Sequence, residues 1–175
     1  MRNRLLTLAA AMLLIATDVS SSAADQVGTA VFPADRQEIQ DLISAYSRAY
    51  DSKDIDAFLD LFTADATLEI YASGAKSPLA SLSGKDALRS VTAQRFTLLE
   101  AQGVQTRHFQ TNTLLTALAD GVVNGTTMLN LVWQAANERP VSATTGIYAD
   151  VFVKSDGHWK FARRTLLMDQ VSPPN

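Results

Sequence analysis

The sequence predicts a single α+β domain in which helices come first and a curved, antiparallel or mixed sheet follows. Three segments within residues 35–102 carry apolar side chains at three- and four-residue spacing, which is typical of amphipathic helices. Residues 105–170 instead hold long β-rich runs separated by turn signals. Helices followed by strands favour a layered fold whose helices cover one face of the sheet.

The first predicted helix follows Asp35, which together with Glu38 has the pattern of an N-terminal cap. The third ends before Gly103, a residue type that commonly terminates helices. The predicted helices cover residues 35–50, 54–62 and 84–102.

The strands are predicted from β-rich runs, and the turns between the last four indicate hairpins and therefore antiparallel neighbours. The small residues of 73–83, with a Gly and a Pro, predict a loop. The predicted strands cover residues 66–71, 105–117, 121–136, 143–153 and 158–170.

The N-terminus has the pattern of a cleavable signal peptide. Arg2 and Arg4 form a positive region, Leu5 to Ala16 form an apolar run, and Ser22-Ala23-Ala24 offers small residues for cleavage. The apolar run is too short to span a bilayer, so no membrane association is expected after cleavage. We therefore predict export, to the periplasm or outside the cell. The predicted divisions are a signal peptide at 1–24, a flexible leader at 25–34 and the domain at 35–172.

Composition narrows the class of protein. Cleavage after Ala24 removes two arginines and one aspartate and moves the formal charge from −3 to −4, which argues against a nucleic-acid partner. The chain has no cysteine, so neither disulfides nor thiol chemistry are expected. The mature chain is long enough to be stabilised by its core alone.

The chain has two histidines in different settings. His158 falls in the turn 156–159, where a solvated side chain is expected. His108 lies near the start of a strand and is the candidate functional histidine, although a structural histidine bonded to the backbone is the alternative. Tyr46 and Tyr50 share a helix face, and Asp51 joins them only if the helix ends there. Core tyrosines and a capping aspartate are the alternative reading of that segment.

In two further parts of the sequence, the pattern does not show whether the side chains point to the core, a pocket or a partner. Arg163 and Arg164 are adjacent on a strand and point to opposite faces, so one of them could face a pocket or a partner; surface ion pairs are the default expectation for both. Alternating apolar residues on one long strand suit the core, a pocket wall or a subunit interface equally. These alternating residues are Val123, Leu129, Leu131 and Trp133.

Four segments, at 50–54, 67–71, 106–109 and 156–161, occur in the order seen in scytalone dehydratases, and the resemblance covers nearly the whole predicted domain. More broadly the chain resembles the SnoaL-like branch of the nuclear transport factor two (NTF2-like) superfamily. That resemblance implies a cystatin-like cone, in which a curved sheet and N-terminal helices enclose a pocket.

The resemblance also implies roles for individual residues. Asp51 and His108 match the Asp–His dyad that dehydratases and lindane dehydrochlorinase use. Tyr50 matches a pocket tyrosine of scytalone dehydratase, and Tyr71 lies within one position of another and is expected to bind substrate. Tyr46 stands five residues before Asp51, as a catalytic tyrosine does in bile acid 7α-dehydratase.

This sequence also departs from the scytalone dehydratase pattern. Threonine stands in the segment 125–127, near the position of a second pocket histidine, and Gly146 and Tyr148 fall near a polar serine and asparagine. The substrate of scytalone dehydratase is therefore not implied. Because export is predicted for a chain that resembles many intracellular enzymes, a scavenged, environmental or envelope-derived molecule is expected instead.

Two functions remain open from the sequence. The first is a cofactor-independent lyase or isomerase, dehydratase-like, in which His108 removes a proton from a small, largely apolar molecule. The second is a non-catalytic protein of the same fold that binds a small molecule or serves as a dimerisation module. No cofactor is expected, and no metal site is expected because one histidine with scattered carboxylates lacks ligand spacing. A homodimer or another homo-oligomer is expected.

Overall fold

The computed structural model describes residues 30–169, apart from the side chains of Ala119 and Ser142. It confirms an α+β fold in which helices are followed by one curved, unclosed sheet. The helices are α1 (Pro33–Ser52), α2 (Ile55–Asp60) and α3 (Gly84–Ala101). The strands are β1 (Phe62–Tyr71), β2 (Ala80–Ser83), β3 (Gln105–Ala117), β4 (Val123–Gln134), β5 (Val141–Ser155) and β6 (His158–Met168).

The sheet has the strand order β2-β1-β6-β5-β4-β3. The hairpin pairs β3–β4, β4–β5 and β5–β6 are antiparallel, as the turn signals predicted, whereas β1 runs parallel to β6. The register shifts within each of these four pairs, and in β3 the shift includes Asn112 at a φ of 54°. Such irregularities bend strands and increase their twist, which explains how the sheet curves around the helices.

The core lies between the concave face of the sheet and the helices. α1 contributes residues at helical spacing, and α2 contributes Phe58, which is fully buried. These side chains meet aromatic rings from β1, β5 and β6, and burial of such rings is a major contribution to the stability of a core. The rings are those of Phe62, Phe152 and Phe161.

Several predicted boundaries differ from the structure. α1 begins at Pro33, two residues earlier than predicted and within the predicted leader, because proline suits the first helical turn. The predicted cap at Asp35 is wrong: no side chain caps α1. The Asp35 carboxylate instead accepts a hydrogen bond from Trp159 Nε1 at 3.0 Å and pairs with Lys154 at 2.7 Å, which joins α1 to the β5–β6 hairpin.

The segment 73–83 is not wholly a loop. Its last four residues form β2, which pairs antiparallel with β1. β1 itself begins at Phe62, earlier than predicted, because α2 ends at Asp60 and the chain turns directly into the sheet.

The predicted signal peptide and the first part of the leader lie outside the described residues, as do residues 170–172 of the predicted domain. Export therefore stays a prediction. Across residues 30–169, no helix is both long enough and apolar enough to cross a membrane.

The convex side of the sheet, here called the outer face, carries exposed apolar side chains on four neighbouring strands. Met128 lies opposite Ile147, and Ile147 lies opposite Leu167. Phe109 adds a fourth member from β3, and all four are at least 39% exposed. The alternating residues of β4 point the other way: Val123 and Leu129 are in the core, and Leu131 and Trp133 line a cavity.

Candidate active site

A cavity of about 460 Å³ lies between the concave face of the sheet and the helices. Its volume is in the range of small-molecule sites. Its wall is mostly apolar, with a few polar side chains. The lining residues with polar groups are Tyr46, Tyr50, Thr92, Arg95, His108, Trp133, Thr144 and Tyr148.

The structure brings together Asp51 and His108, the two residues that the family resemblance pairs. Nδ1 of His108 lies 2.7 Å from Oδ1 of Asp51, and the His108 backbone N–H donates to Oδ2 at 2.9 Å. The side chains are 3% exposed for His108 and 11% for Asp51. Two contacts between the same residues fix both the position and the orientation of the imidazole.

Local backbone geometry explains why Asp51 can reach the strand. α1 ends at Ser52, and Lys53 takes a left-handed conformation with a φ of 60° as its C-terminal cap. Thr106 on β3 donates its hydroxyl to Asp51 Oδ1 at 2.9 Å, and Gln105 Nε2 donates to the Asp51 carbonyl at 2.8 Å. The start of β3 therefore holds the end of α1 through side chains on both elements.

The Asp51 contact also determines which imidazole nitrogen is available. A carboxylate accepts hydrogen bonds and cannot donate them, so Nδ1 carries the proton in this pair. In the neutral imidazole, Nε2 is then unprotonated. Because His108 lines the cavity, Nε2 is the nitrogen that can accept a proton from a bound molecule.

Tyr46 and Tyr50 both line the cavity beside His108. Their ring centres lie 5.9 Å and 4.7 Å from that of His108. Burial raises the pKa of Tyr46 well above its usual value. Burial also raises the pKa of Tyr50 to about 12, with a further rise from Tyr46, while the charge and hydrogen bond of Arg95 lower it. Both hydroxyls therefore keep their protons at neutral pH and can donate hydrogen bonds.

Tyr148 on β5 is a third cavity tyrosine, one that the sequence analysis did not select as a site residue. Its ring centre lies 5.8 Å from that of Tyr46. Burial raises the pKa of Tyr148 to about 12, against the lowering effects of Arg164 and of a hydrogen bond with Tyr46. Strand alternation was the sequence signal for this residue. Tyr148, Asp150 and Phe152 occupy every second position of β5 and are buried, so their side chains point to the inner face of the sheet.

Behind these tyrosines lies a fully buried ion pair. Arg164 Nε and Nη2 donate to the two carboxylate oxygens of Asp150 at 3.0 Å and 3.1 Å, and Nη2 also donates to Gln110 Oε1 at 2.6 Å. Burial raises the pKa of Asp150 to about 6 while Arg164 opposes that rise, so the carboxylate is ionised at neutral pH. The guanidinium carbon lies 4.0 Å from the Tyr46 ring centre and 3.8 Å from that of Tyr148. The arginine of the ion pair therefore packs against both tyrosine rings.

Arg95 on α3 and Trp133 on β4 line another part of the cavity. The Arg95 guanidinium carbon lies 5.0 Å from the centre of the Trp133 ring. Arg95 was not predicted as a site residue, although helical spacing places it on the same side of α3 as the buried residues Thr92 and Leu99. An arginine on the side of a helix that packs against the sheet indicates a functional residue, and this was the signal in the sequence.

Comparison with known proteins identifies the family of this chain. A model of the SnoaL-like domain matches residues 33–165, which is most of the chain. The chain belongs to the SnoaL-like domain family. No curated protein matches the chain.

Several solved structures of other proteins have the same fold as this SnoaL-like domain. An NTF2-like protein with a cystatin-like fold from Novosphingobium aromaticivorans is 20% identical, with a TM-score of 0.65 over 77% of this chain and 82% of that one. A proposed scytalone dehydratase from the same organism is 23% identical, with a TM-score of 0.64 over 77% and 84%. A proposed aromatic ring hydroxylase, also from that organism, is 29% identical, with a TM-score of 0.62 over 80% and 91%.

Other predicted residues lie outside the cavity of the SnoaL-like domain. Tyr71 is half-buried at the end of β1 and does not line the cavity, whereas its neighbour Ile70 does; its substrate-binding role stays a prediction. His158 is exposed, as expected. Arg163 is exposed, while Arg164 forms a buried rather than a surface ion pair, so the default expectation was wrong for Arg164.

The described part of the SnoaL-like domain has no group of three or more His, Asp or Glu side chains positioned to hold a metal ion.

Proposed function

We propose that this SnoaL-like domain is a lyase or isomerase that needs no cofactor and acts on a small, largely apolar molecule bound in the cavity. The observation that carries the proposal is the contact between His108 Nδ1 and Asp51 Oδ1 at 2.7 Å, with the imidazole on the cavity wall. A buried carboxylate that holds a histidine in one tautomer is the arrangement that makes imidazole an oriented general base.

The proposed reaction begins at a C–H bond next to a carbonyl. His108 Nε2 takes the proton, and the electron pair of the C–H bond moves toward the carbonyl oxygen. The hydroxyl of Tyr148 donates a hydrogen bond to this developing oxyanion, while Tyr46 holds Tyr148 in place through their mutual hydrogen bond. Asp51 stabilises the imidazolium that forms.

The second half of the reaction decides between elimination and isomerisation. In elimination, the electron pair forms a carbon–carbon double bond, the β carbon–oxygen bond breaks, and the departing hydroxide takes the proton from His108 to leave as water. In isomerisation, His108 returns the proton to a different carbon. Neither route requires an oxidant or a reductant.

Hydrogen exchange tests the proposed proton abstraction. We would incubate the protein in D₂O, without added metal or cofactor, with a panel of small ketones and β-hydroxy ketones, and follow deuterium uptake and enone formation. His108→Asn and Asp51→Asn are expected to lower the rate by roughly 100-fold or more, because general-base catalysis contributes about 10²–10⁴. His158→Asn, which alters the exposed histidine, serves as the matched control and should retain the full rate.

Full activity in both His108→Asn and Asp51→Asn would refute the proposal. Binding of panel members by the wild-type protein without exchange or elimination would favour the alternative, a non-catalytic small-molecule-binding protein.

A further inference from the structure

The wall of the cavity contains one side chain with a fixed charge. Among the described residues that line it, Arg95 is the only lysine, arginine, aspartate or glutamate. The His108–Asp51 pair has its own internal partner, because Asp51 accepts from both the ring and the backbone of His108. The positive charge of Arg95 is thus the main fixed charge presented to a bound molecule.

No acidic side chain neutralises Arg95 in the part of the chain that the structure describes. The ion pairs within residues 30–169 include its helix neighbour Arg89, which pairs with Asp56 at 2.8 Å, but none includes Arg95. Its contacts are the face of Trp133 and the hydroxyl oxygen of Tyr50. Both contacts are neutral, so they leave the charge available to an anion.

Trp133 contributes its ring face to this part of the wall and no accessible donor. Its indole Nε1 is buried and has no hydrogen-bond acceptor among the described residues. The guanidinium of Arg95 can only donate hydrogen bonds, so a bound molecule must bring an acceptor to it.

We propose that the cavity binds a small molecule that carries a carboxylate at Arg95, with an apolar, ring-sized skeleton against the surrounding wall. A carboxylate suits the planar fork of arginine, and its single charge suits a wall that is otherwise mostly apolar better than a doubly charged phosphate would. This inference deepens the proposed function, because it names the substrate class of the same site.

Tyr50 contacts both His108 and Arg95. Its ring centre lies 4.7 Å from that of His108, while its hydroxyl interacts with Arg95. A molecule whose carboxylate binds Arg95 therefore lies along the Tyr50 side chain, with its other end toward His108. We expect an aromatic or cyclic acid with its reactive carbon away from the carboxylate.

Binding of two matched probes tests this inference without requiring turnover. The probes are 3-phenylpropanoate and its neutral amide, 3-phenylpropanamide, titrated by calorimetry. Quenching of Trp133 fluorescence is a second readout, in a Trp159→Phe background that leaves Trp133 as the only tryptophan. The wild-type protein is expected to bind the carboxylate roughly tenfold more tightly than the amide or better, because only the carboxylate forms a charge-assisted hydrogen bond with Arg95.

Arg95→Met removes the charge and keeps an apolar stem, so it is expected to reduce carboxylate affinity to that of the amide and to leave amide affinity unchanged. Arg89→Met alters the same helix outside the cavity and should leave both affinities unchanged. Arg95→Gln provides a second neutral variant with a polar end, and circular dichroism verifies that each variant is folded.

Equal affinities of the wild-type protein for the two probes, no saturable binding of the carboxylate, or undiminished carboxylate binding by folded Arg95→Met would each overturn the inference. His108→Asn should still bind the carboxylate. The binding experiment therefore tests the carboxylate site independently of the exchange rates, which test the proposed function.

Discussion

At the scale of single residues, Arg164 packs against two tyrosines of the cavity and holds their rings in position. The side chain is 0% exposed and pairs with Asp150, and the rings of Tyr46, Tyr148 and Phe161 surround its guanidinium. One guanidinium nitrogen, Nη1, has no hydrogen-bond acceptor among the described residues. The aromatic faces supply favourable electrostatic contacts for the cation in place of water.

Arg164→Met is expected to lower the free energy of unfolding by about 3–5 kcal/mol, because it leaves the Asp150 carboxylate buried without its cation. Urea denaturation measures the change. Arg163→Met is the matched control, since the adjacent side chain is exposed, and its effect should be within about 0.5 kcal/mol. Similar midpoints for the two variants would contradict a stabilising role of the buried pair.

At the scale of elements, β5 and β6 approach each other closely at Gly146. A Cβ atom at this position would overlap the backbone oxygen of Leu167, so no other side chain fits without movement of a strand. Glycine is therefore required here by the neighbouring backbone.

Gly146→Ala is expected to lower the free energy of unfolding by about 1–3 kcal/mol, the usual cost of overpacking, because β6 must shift away from β5. Thermal unfolding followed by circular dichroism measures the loss. Thr145→Ala, at the exposed neighbouring position, should change stability by less than about 1 kcal/mol. An unaltered melting temperature for Gly146→Ala would show that the strands do not approach this closely in solution.

The elements with strong periodicity or clear turn signals could be predicted from the sequence. The four long strands start and end close to the predicted residues, because each hairpin is marked by turn residues such as Asp156-Gly157. β2 was not predicted, since its alternation of apolar and polar residues covers only four positions, too few to separate a strand from the small-residue loop before it. Asp35 resembled a cap, but its tertiary contacts with Trp159 and Lys154 determine its role.

The candidate site was predictable only in part. The contact of Asp51 with His108 was expected from the family resemblance, and the turn after α1 that makes it possible depends on Lys53 in a left-handed conformation. Tyr148 and Arg95 were not selected, because which face of a strand or helix meets the cavity depends on how the sheet curves. That curvature follows from register shifts that the sequence does not mark.

At the scale of the whole molecule, the outer face bears on the predicted homodimer. Its apolar side chains cross four strands on the side away from the cavity, and such exposed patches are typical of association sites. A second copy of the chain would cover this face without closing the cavity. The oligomeric state itself stays a prediction.

Ile147→Glu is expected to convert the predicted dimer into a monomer, because it places a charge in the centre of the outer face. Sedimentation velocity at micromolar concentration measures the change. Ser73→Glu adds the same charge at an exposed loop position and should leave the mass of the assembly unchanged. A wild-type protein that sediments as a monomer would contradict the predicted association.

The Asp51–His108 contact joins residues 57 positions apart in the chain. Closing a loop of that length is entropically costly and slow compared with forming α1 or a hairpin. During refolding, the proposed general base would therefore be assembled only after the end of α1 has docked onto β3. Recovery of the proposed proton-transfer activity would then lag behind the return of helical circular dichroism and report the completion of tertiary structure.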